Sequence, residues 1–327
     1  MTGVDQSRAT MRAGLLAAPR EARLESVPVP EPGPGEVRIQ LEGCGVCGSN
    51  LPVWEGRPWF AYPLPSGAPG HEGWGVVDAV GPSVDRVAVG DRVAALSTRA
   101  FAEYDVAAAG AVVRLPPELA GRDFPGEPLG CAVNAFRRSA IEPGDTVVIL
   151  GIGFLGAVIT RLASRAGARV IAVSRRPFSL DVAREQGADV LLGLDDHDHV
   201  VRQVEHLTGG RGADRVVEAV GLQQPLDLAG RLTRVRGRLI IAGYHQDGSR
   251  QVDMQLWNWR GIDVINAHER DPETALDGIR GAIEAVTRGT LDPSSLYTHR
   301  FELGQLAEAL EMNRRRPDGF LKALVLA

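Results

Sequence analysis

Residues 147–156 read Val-Val-Ile-Leu-Gly-Ile-Gly-Phe-Leu-Gly, a short β-branched apolar run that leads into Gly-x-Gly-x-x-Gly. The residues that follow, 157–163, predict a helix, so the motif stands between a strand and a helix. In that setting Gly151 permits a tight turn, Gly153 lets the backbone approach a pyrophosphate, and Gly156 lets the helix pack close to the strand. The N–H groups that begin the helix then face the phosphates. The stretch therefore predicts dinucleotide binding rather than an ordinary glycine turn.

The pattern around this motif changes along the chain. Before about residue 115, short strands and turns dominate, which predicts a mostly β first domain. From about residue 130, strand-like and helix-like runs alternate, which predicts a doubly wound parallel sheet. A helix-like stretch at 273–288 and a strand-like end at 320–326 are assigned back to the first domain. The strand-like runs of the second part are 147–150, 169–173, 189–192, 215–218, 237–242 and 262–265.

Composition limits the classes of protein to consider. The chain has 327 residues and a net charge of −5, which provides no general attraction to nucleic acid or to a membrane surface. No apolar run is long enough to span a bilayer, no signal peptide opens the sequence, and residues 1–10 are expected to form a disordered tail. Three cysteines, Cys44, Cys47 and Cys131, do not resemble a secreted disulfide framework, so a cytoplasmic location is expected.

The tip of the second strand of the parallel sheet bears on the choice of dinucleotide. An NAD enzyme usually carries Asp or Glu there, about 20 residues past the glycines, to hold both ribose hydroxyls. Here the tip is Ser174-Arg175-Arg176, so no carboxylate repels a 2′-phosphate and two guanidiniums are available to bind one. The sequence therefore predicts NADP(H) in preference to NAD(H). The alternative is that both arginines are solvated loop residues.

A candidate metal site is formed by Cys47, His71 and Glu127, which lie far apart in the sequence and in turns or loops. Zinc accepts thiolate, imidazole and carboxylate ligands, and a catalytic zinc keeps one position open. Spacing alone leaves other interpretations open. A cysteine in a glycine-rich loop is usually structural, and a histidine between Gly70 and Glu72 can simply cap a turn.

Five ordered motifs carry a family resemblance, which extends from Met11 to the end of the chain. The sequence resembles the zinc-containing medium-chain dehydrogenase/reductase family, nearest its sorbitol and threonine dehydrogenase branch. The resemblance implies an α/β fold with a GroES-like catalytic domain (1–127 and 267–327), a Rossmann domain (128–266), and an active site in the cleft between them. The motifs are Cys44-Gly-Val-Cys-Gly-Ser-Asn50, Gly70-His-Glu-x-x-Gly75, Gly90-Asp-Arg-Val93, Glu127-Pro-Leu129 and Gly151-x-Gly-x-x-Gly156.

Matched by position, the resemblance implies that Cys47, His71 and Glu127 bind one catalytic zinc per chain. Cys131, four residues beyond Glu127, is the rival third ligand, and it is interpreted as a helix packing residue. Glu72 matches a residue that binds zinc transiently or lies just outside its ligands. The four-cysteine structural zinc lobe of many relatives is missing from the sequence, so a second zinc is not expected.

Three further positions bear on proton movement. Ser49 matches the relay hydroxyl that passes the alcohol proton toward solvent. Asn50 stands where the family usually has Asp as the partner of the ligand histidine, and an amide can still accept a hydrogen bond from imidazole. Pro52 stands where many relatives carry a relay histidine, so the proton must leave by another path.

The expected function is hydride transfer between NADP(H) and a secondary alcohol or polyol, or the matching ketone, in a homodimer or homotetramer. One alternative is a zinc-free NADPH quinone or enone reductase of the same superfamily. The other is a non-catalytic dinucleotide-binding protein. Matched to the family by position, Tyr244 and His268 are interpreted equally well as contacts to the nicotinamide or the substrate, or as residues that only cap strands. The predicted cofactor-binding residues are Gly151, Gly153, Phe154, Leu155, Gly156, Ser174, Arg175, Arg176, Val220, Gly243, Tyr244, Asn266 and Lys322.

Overall fold

The computed structural model describes residues 9–327, which divide into two compact units. One unit comprises the chain up to Pro128 together with Tyr297–Ala327, and the other comprises Leu129–Leu296. The first boundary lies close to the predicted one, but the second lies 30 residues beyond residue 266. The predicted disordered tail falls for the most part on residues 1–8, which are outside the described residues, and the first strand begins at Thr10.

The first part of the chain is rich in strands, as its sequence predicts. Hydrophobic residues alternate along Glu36–Gly45, so that Val37, Ile39 and Leu41 enter the core beside Phe101. The elements are β1 (Thr10–Ala18), β2 (Glu21–Pro28), β3 (Glu36–Gly45), α1 (Leu51–Glu55), β4 (Gly73–Val80), β5 (Arg92–Ala95), β6 (Tyr104–Ala108), β7 (Val112–Arg114) and α2 (Gly126–Ser139).

The second unit contains a six-stranded parallel sheet in the order β10-β9-β8-β11-β12-β13, which confirms the doubly wound arrangement. None of the helices within residues 9–327 is long and apolar enough to cross a bilayer. The elements are β8 (Thr146–Leu150), α3 (Phe154–Arg165), β9 (Arg169–Ser174), α4 (Pro177–Glu185), β10 (Val190–Gly193), α5 (His197–Leu207), β11 (Ala213–Glu218), α6 (Gln223–Leu232), β12 (Thr233–Ile241), α7 (Met254–Arg260), β13 (Asp263–Asn266) and α8 (Pro272–Thr287).

Helix α8 belongs to the second unit, contrary to its predicted assignment to the first. It packs on α2 through small residues: a Cβ on Gly278 would lie 2.5 Å from the carbonyl oxygen of Gly130. The amide of Asn134 also donates a hydrogen bond to the carbonyl of Thr274 (2.7 Å). This close approach depends on a pair of glycines in two distant segments, a pairing that the sequence pattern does not reveal.

The last segment returns to the first unit and completes its sheet. It comprises β14 (His299–Glu302), α9 (Leu306–Arg315) and β15 (Ala323–Leu326). The sheet runs β14-β15-β3-β4-β5-β7, with β6 also paired to β3. Strand β15 is antiparallel to the end of β3, where Leu324 pairs with Gly45. This pairing brings Lys322 beside the chain that leads to Cys47.

Candidate functional site

Cys47 lies just beyond β3, where it caps a single 3₁₀ turn, Gly48–Asn50. Three contacts hold this loop. The Cys47 N–H donates to Asn50 Oδ1 (2.9 Å), the Cys47 carbonyl accepts from Asn313 Nδ2 (2.9 Å), and the sulfur accepts from the Ser49 N–H (3.5 Å). Both backbone polar groups of Cys47 are therefore satisfied, and its half-buried thiol is held in one orientation.

His71 immediately precedes β4, and its two ring nitrogens have different surroundings. Nδ1 lies 2.9 Å from the carbonyl oxygen of Pro69, and Nε2 lies 3.5 Å from Ser49 Oγ. Because a carbonyl oxygen only accepts hydrogen bonds, Nδ1 carries a proton. In the neutral imidazole Nε2 then keeps its lone pair for a metal ion.

The structure corrects the expected role of Asn50. The family resemblance implied that the side chain of Asn50 would accept a hydrogen bond from His71. Instead, Asn50 Nδ2 donates to the carbonyl of Pro69 (3.2 Å), the same oxygen that His71 Nδ1 contacts. An amide can donate to that oxygen whereas a carboxylate cannot, so Asn50 supports the histidine through the backbone.

The ligand atoms of Cys47, His71 and Glu72 lie within 4.8 Å of one another, and this is the one such group of three that residues 9–327 contain. Desolvation lowers the pKa of His71, but Cys47, Glu127 and Glu72 outweigh it and raise that pKa to about 10. Negative charge thus converges on the imidazole from three side chains. The donor set fits zinc, which takes thiolate, imidazole and carboxylate ligands and brings the missing positive charge.

Glu72 and Lys322 form a buried ion pair beside this group. Lys322 Nζ donates to Glu72 Oε1 (2.7 Å) and lies 2.5 Å from Oε2. Desolvation lowers the pKa of Lys322, but Glu72, Cys47 and Glu127 raise it overall, so the ammonium is charged. The ammonium of Lys322 is therefore engaged by Glu72. The expected contact of Lys322 with the cofactor phosphates stays a prediction.

The other two cysteines differ from Cys47 in their surroundings. Cys44 is fully buried, and burial raises the pKa of its thiol well above the ordinary value, so it stays protonated and packs in the core. Glu127 lies in the first turn of α2, and Cys131 lies one turn further along that helix and is half-buried. The charge of Glu127 helps to raise the pKa of His71. The three ligand atoms that lie together belong to Cys47, His71 and Glu72, so the choice of Glu127 over Cys131 as the third zinc ligand stays a prediction.

The glycine motif adopts the conformation that its sequence predicts. Gly151 has φ +91°, which glycine tolerates without strain. A Cβ on Gly156 would lie 2.1 Å from the carbonyl oxygen of Gly151, so the helix start can approach the turn only without a side chain. A Cβ on Gly153, by contrast, would meet no protein atom within 4 Å. That open space is where the predicted pyrophosphate would approach the backbone.

The predicted 2′-phosphate residues follow β9 at the same edge of the sheet. Ser174 is buried and its hydroxyl accepts from the Arg176 N–H (3.3 Å), which turns the chain into α4. Arg175 is exposed at the tip. Its guanidinium is therefore accessible to an anionic group.

The sequence analysis missed Glu218, which is fully buried at the end of β11. Its Oε1 accepts from the N–H groups of Val220 and Gly221 (2.8 Å each), and its Oε2 lies 3.0 Å from His245 Nε2. Arg250 in turn donates to His245 Nδ1 (2.8 Å). Glu218 thereby fixes the two loops that contain Val220 and Gly243. The sequence feature that could have identified Glu218 is its position as a carboxylate at the end of the apolar run Val216-Val217.

Tyr244 and His268 follow β12 and β13 and stack on each other, with ring centroids 5.3 Å apart and planes 20° apart. Tyr244 is 46% exposed. The side-chain oxygen of Asn266 accepts from the His268 N–H (3.3 Å), which orders the end of β13. The pair forms a partly exposed aromatic surface at the carboxyl edge of the sheet, where ligands of this fold class bind.

Comparison with known proteins gives two family matches. A model described as zinc-binding dehydrogenase matches residues 155–278, and one described as alcohol dehydrogenase GroES-like domain matches residues 33–122. The chain is 31% identical to the L-threonine 3-dehydrogenase of Pyrococcus abyssi, with 91% of this chain and 93% of that one covered. It is 27% identical to the sorbitol dehydrogenase of Bacillus subtilis, with 96% and 97% covered.

Solved structures share the fold. One is a protein of Sinorhizobium meliloti whose structure was solved with NADP bound. It has a TM-score of 0.83 and 24% identity, and the match covers 98% of this chain and 100% of that one. The expected combination of a GroES-like domain with a parallel-sheet domain is thereby confirmed.

Proposed function

The chain belongs to the zinc-type medium-chain dehydrogenase family, and we propose that it transfers hydride between NADP(H) and a secondary alcohol or polyol, or the matching ketone. The convergence of Cys47, His71 and the neighbouring carboxylates on one point carries the proposal. The relatives named above are a sorbitol dehydrogenase and an L-threonine 3-dehydrogenase, which supports an alcohol-type oxidoreductase.

The residues of the first unit would hold the metal and position the alcohol. Cys47, His71 and Glu127 are the proposed zinc ligands, and Glu72 lies beside them with its charge balanced by Lys322. When bound, zinc supplies Lewis acidity toward the substrate oxygen, and the nicotinamide accepts or donates the hydride. The chain itself supplies orientation, because the Pro69 carbonyl fixes the ring of His71 and Asn313 fixes the Cys47 loop.

Ser49 is the proposed first acceptor of the alcohol proton. Its hydroxyl lies 3.5 Å from His71 Nε2, so it faces the candidate metal position from within the same loop. We expect Ser49→Ala to lower kcat by about 10²-fold, the usual contribution of a positioned proton-transfer group, with little change in zinc content. An unchanged kcat in steady-state assays would remove Ser49 from the relay.

Arg175 and Arg176 support a preference for NADP(H). Arg175 is exposed at the tip of β9, where the ribose 2′-phosphate would lie, and no carboxylate stands at that tip. We expect kcat/KM to be at least about 10-fold higher with NADP than with NAD, since a charge-assisted hydrogen bond contributes about 1.5–3 kcal/mol. Arg175→Ala should remove most of that ratio by lowering kcat/KM for NADP alone. A clear NAD preference in the unmodified protein would overturn the proposal.

Screening alcohols and ketones with NADP and NADPH tests the proposed function. Turnover of a secondary alcohol or a ketone that depends on bound zinc supports it. Reduction of enones or quinones that persists after zinc is removed would favour the zinc-free alternative. Dinucleotide binding without turnover of any of these substrates would favour a non-catalytic role.

We further propose that the chain assembles as a homodimer or homotetramer through the edge of its parallel sheet. Strand β13 is the last strand in the described sheet, so its outer edge is available for pairing. Trp259, just before this strand, is 88% exposed. A large exposed aromatic side chain beside an open strand edge is typical of a subunit interface.

A further inference from the structure

Glu218 stands between two strands whose ends lead into the glycine-containing turns of the second unit. Its backbone pairs with Leu150 at the end of β8 on one side and with Ile241 at the end of β12 on the other. Its fully buried carboxylate accepts two backbone N–H groups at Oε1 and faces His245 at Oε2. No step of the proposed reaction uses this carboxylate, so its burial and its three partners call for a separate explanation.

The turns that follow these strands touch one another so closely that side chains are excluded. A Cβ on Gly151 would lie 2.3 Å from Val220 Cγ2. A Cβ on Gly243 would lie 2.3 Å from the Gly221 nitrogen, and a Cβ on Gly221 would lie 2.6 Å from the Tyr244 carbonyl oxygen. Because closely packed groups transmit a displacement, the position of Val220 and Gly221 sets the position of both neighbouring turns.

The side chains of Glu218, His245 and Arg250 form a directed chain of hydrogen bonds, the Glu218 network, that ends at these turns. Arg250 Nε donates to His245 Nδ1 (2.8 Å), Arg250 Nη2 donates to the carbonyl of Gly221 (2.9 Å), and the guanidinium also pairs with Asp247. A guanidinium has only donors, so Nδ1 accepts and the proton of the neutral ring lies on Nε2. Nε2 then donates to Glu218 Oε2 (3.0 Å). The exposed loop that contains Asp247 is thereby connected to the buried carboxylate.

The strand order places the Glu218 network beside one half of the predicted dinucleotide. In a doubly wound sheet the dinucleotide lies across the carboxyl ends of the strands, where the strand order reverses, which here is between β8 and β11. The adenosine ribose is recognised at the tip of the second strand, β9, which is followed by Arg175. The nicotinamide half then lies over β11 and β12, the strands whose ends the network joins.

We propose that the Glu218 network positions the turns that receive the nicotinamide half of the dinucleotide, with His245 as its central residue. The inference rests on the proposed dehydrogenase function and names positioning residues for its cofactor; the hydride transfer itself involves none of them. Removing one hydrogen-bonding group from the network leaves its buried partners unsatisfied. The turns then relax and the nicotinamide half loses its fit, whereas the adenosine half keeps its own contacts at β9.

The test measures the two halves of the dinucleotide separately, by calorimetry on the full-length protein. NADPH reports on both halves and 2′,5′-ADP on the adenosine half alone, and NADH with AMP is the matching pair without the 2′-phosphate. His245→Phe keeps a planar ring but removes both of its polar atoms. Because buried groups are left unsatisfied, we expect this variant to raise the Kd of NADPH by about 10-fold or more and that of 2′,5′-ADP by less than about 2-fold.

Two further variants separate the hydrogen bonds from general packing. His245→Gln keeps one donor and one acceptor in a planar amide, so the Kd of NADPH should stay within about 3-fold of that of the unmodified protein. Arg250→Gln acts at the partly exposed end of the Glu218 network and should reproduce the loss seen in His245→Phe. The double variant of His245→Phe with Arg250→Gln should lose little more affinity than the weaker-binding single variant, since both interrupt the same chain of hydrogen bonds.

The outcomes separate this inference from the dehydrogenase function. Equal losses of affinity for NADPH and 2′,5′-ADP in His245→Phe would overturn the inference, because a packing defect affects both halves. Unchanged NADPH affinity in His245→Phe and Arg250→Gln would overturn it too. The dehydrogenase function is judged by turnover of an alcohol or ketone in the unmodified protein. Turnover without the difference between the two halves leaves that function standing and removes the network from cofactor positioning, whereas the difference without turnover supports the network and contradicts the function.

Discussion

Replacing Cys47 with alanine is expected to lower kcat/KM for alcohol oxidation by about 10³-fold or more. The sulfur of Cys47 lies within 4.8 Å of the ligand atoms of His71 and Glu72, where it can bind the metal. Loss of the metal would forfeit several kcal/mol of charge stabilisation at the substrate oxygen, and about 1.4 kcal/mol corresponds to a tenfold change in rate. Steady-state kinetics with NADP measure the effect.

Cys44 supplies the matched control for this experiment. It lies three residues before Cys47 on β3, and its buried thiol stays protonated. Cys44→Ala makes the same chemical change at a core position, so it should lower the stability of the fold through the small cavity that it leaves. Its kcat/KM should stay within a few-fold of the unmodified protein. Equal losses in the two variants would mean that the Cys47 effect is structural.

Replacing Gly153 with valine is expected to weaken binding of NADPH by about 10- to 100-fold without lowering the Tm. The backbone at Gly153 is extended, with φ −87°, and a Cβ there would meet no protein atom within 4 Å. The fold should therefore accept the side chain. A pyrophosphate that approaches the same backbone would be displaced, with the loss of charge-assisted hydrogen bonds worth about 1.5–3 kcal/mol each. Titration of NADPH by fluorescence or calorimetry gives the Kd.

Gly156→Ala distinguishes a blocked ligand from a disturbed fold. Its Cβ would lie 2.1 Å from the carbonyl oxygen of Gly151, so the turn must shift. This variant should lose both stability and dinucleotide affinity, whereas Gly153→Val should lose affinity alone. Wild-type affinity in Gly153→Val would mean that the pyrophosphate does not approach the backbone at this position.

The features that the sequence predicts well are set by neighbouring residues. The strand, turn and helix around 147–163 follow from a β-branched run and three glycines, and the structure confirms each element. The parallel sheet of the second unit follows in the same way from alternating strand-like and helix-like runs, whereas its strand order is seen only in the structure. The grouping of Cys47 with His71 was implied by ordered motifs of a known family, and the structure brings these side chains together.

The features that the sequence missed depend on contacts between distant segments. Asn50 contacts the carbonyl of Pro69 rather than His71, and no local pattern specifies that choice. Asn313 and Cys47 are far apart in the chain, and the structure brings them together through a hydrogen bond from the Asn313 amide to the Cys47 carbonyl. The position of helix α8 in the second unit has the same kind of cause, because Gly278 of α8 packs against Gly130, which lies on the distant helix α2.

The most direct test of the metal site is zinc per chain, measured by elemental analysis on protein purified without added metal. We predict about one zinc in the unmodified protein and in Cys44→Ala, and little in Cys47→Ala. An intact dinucleotide Kd in Cys47→Ala would show that its fold survives. Absence of zinc from the unmodified protein, together with normal dinucleotide binding, would contradict a zinc-dependent mechanism.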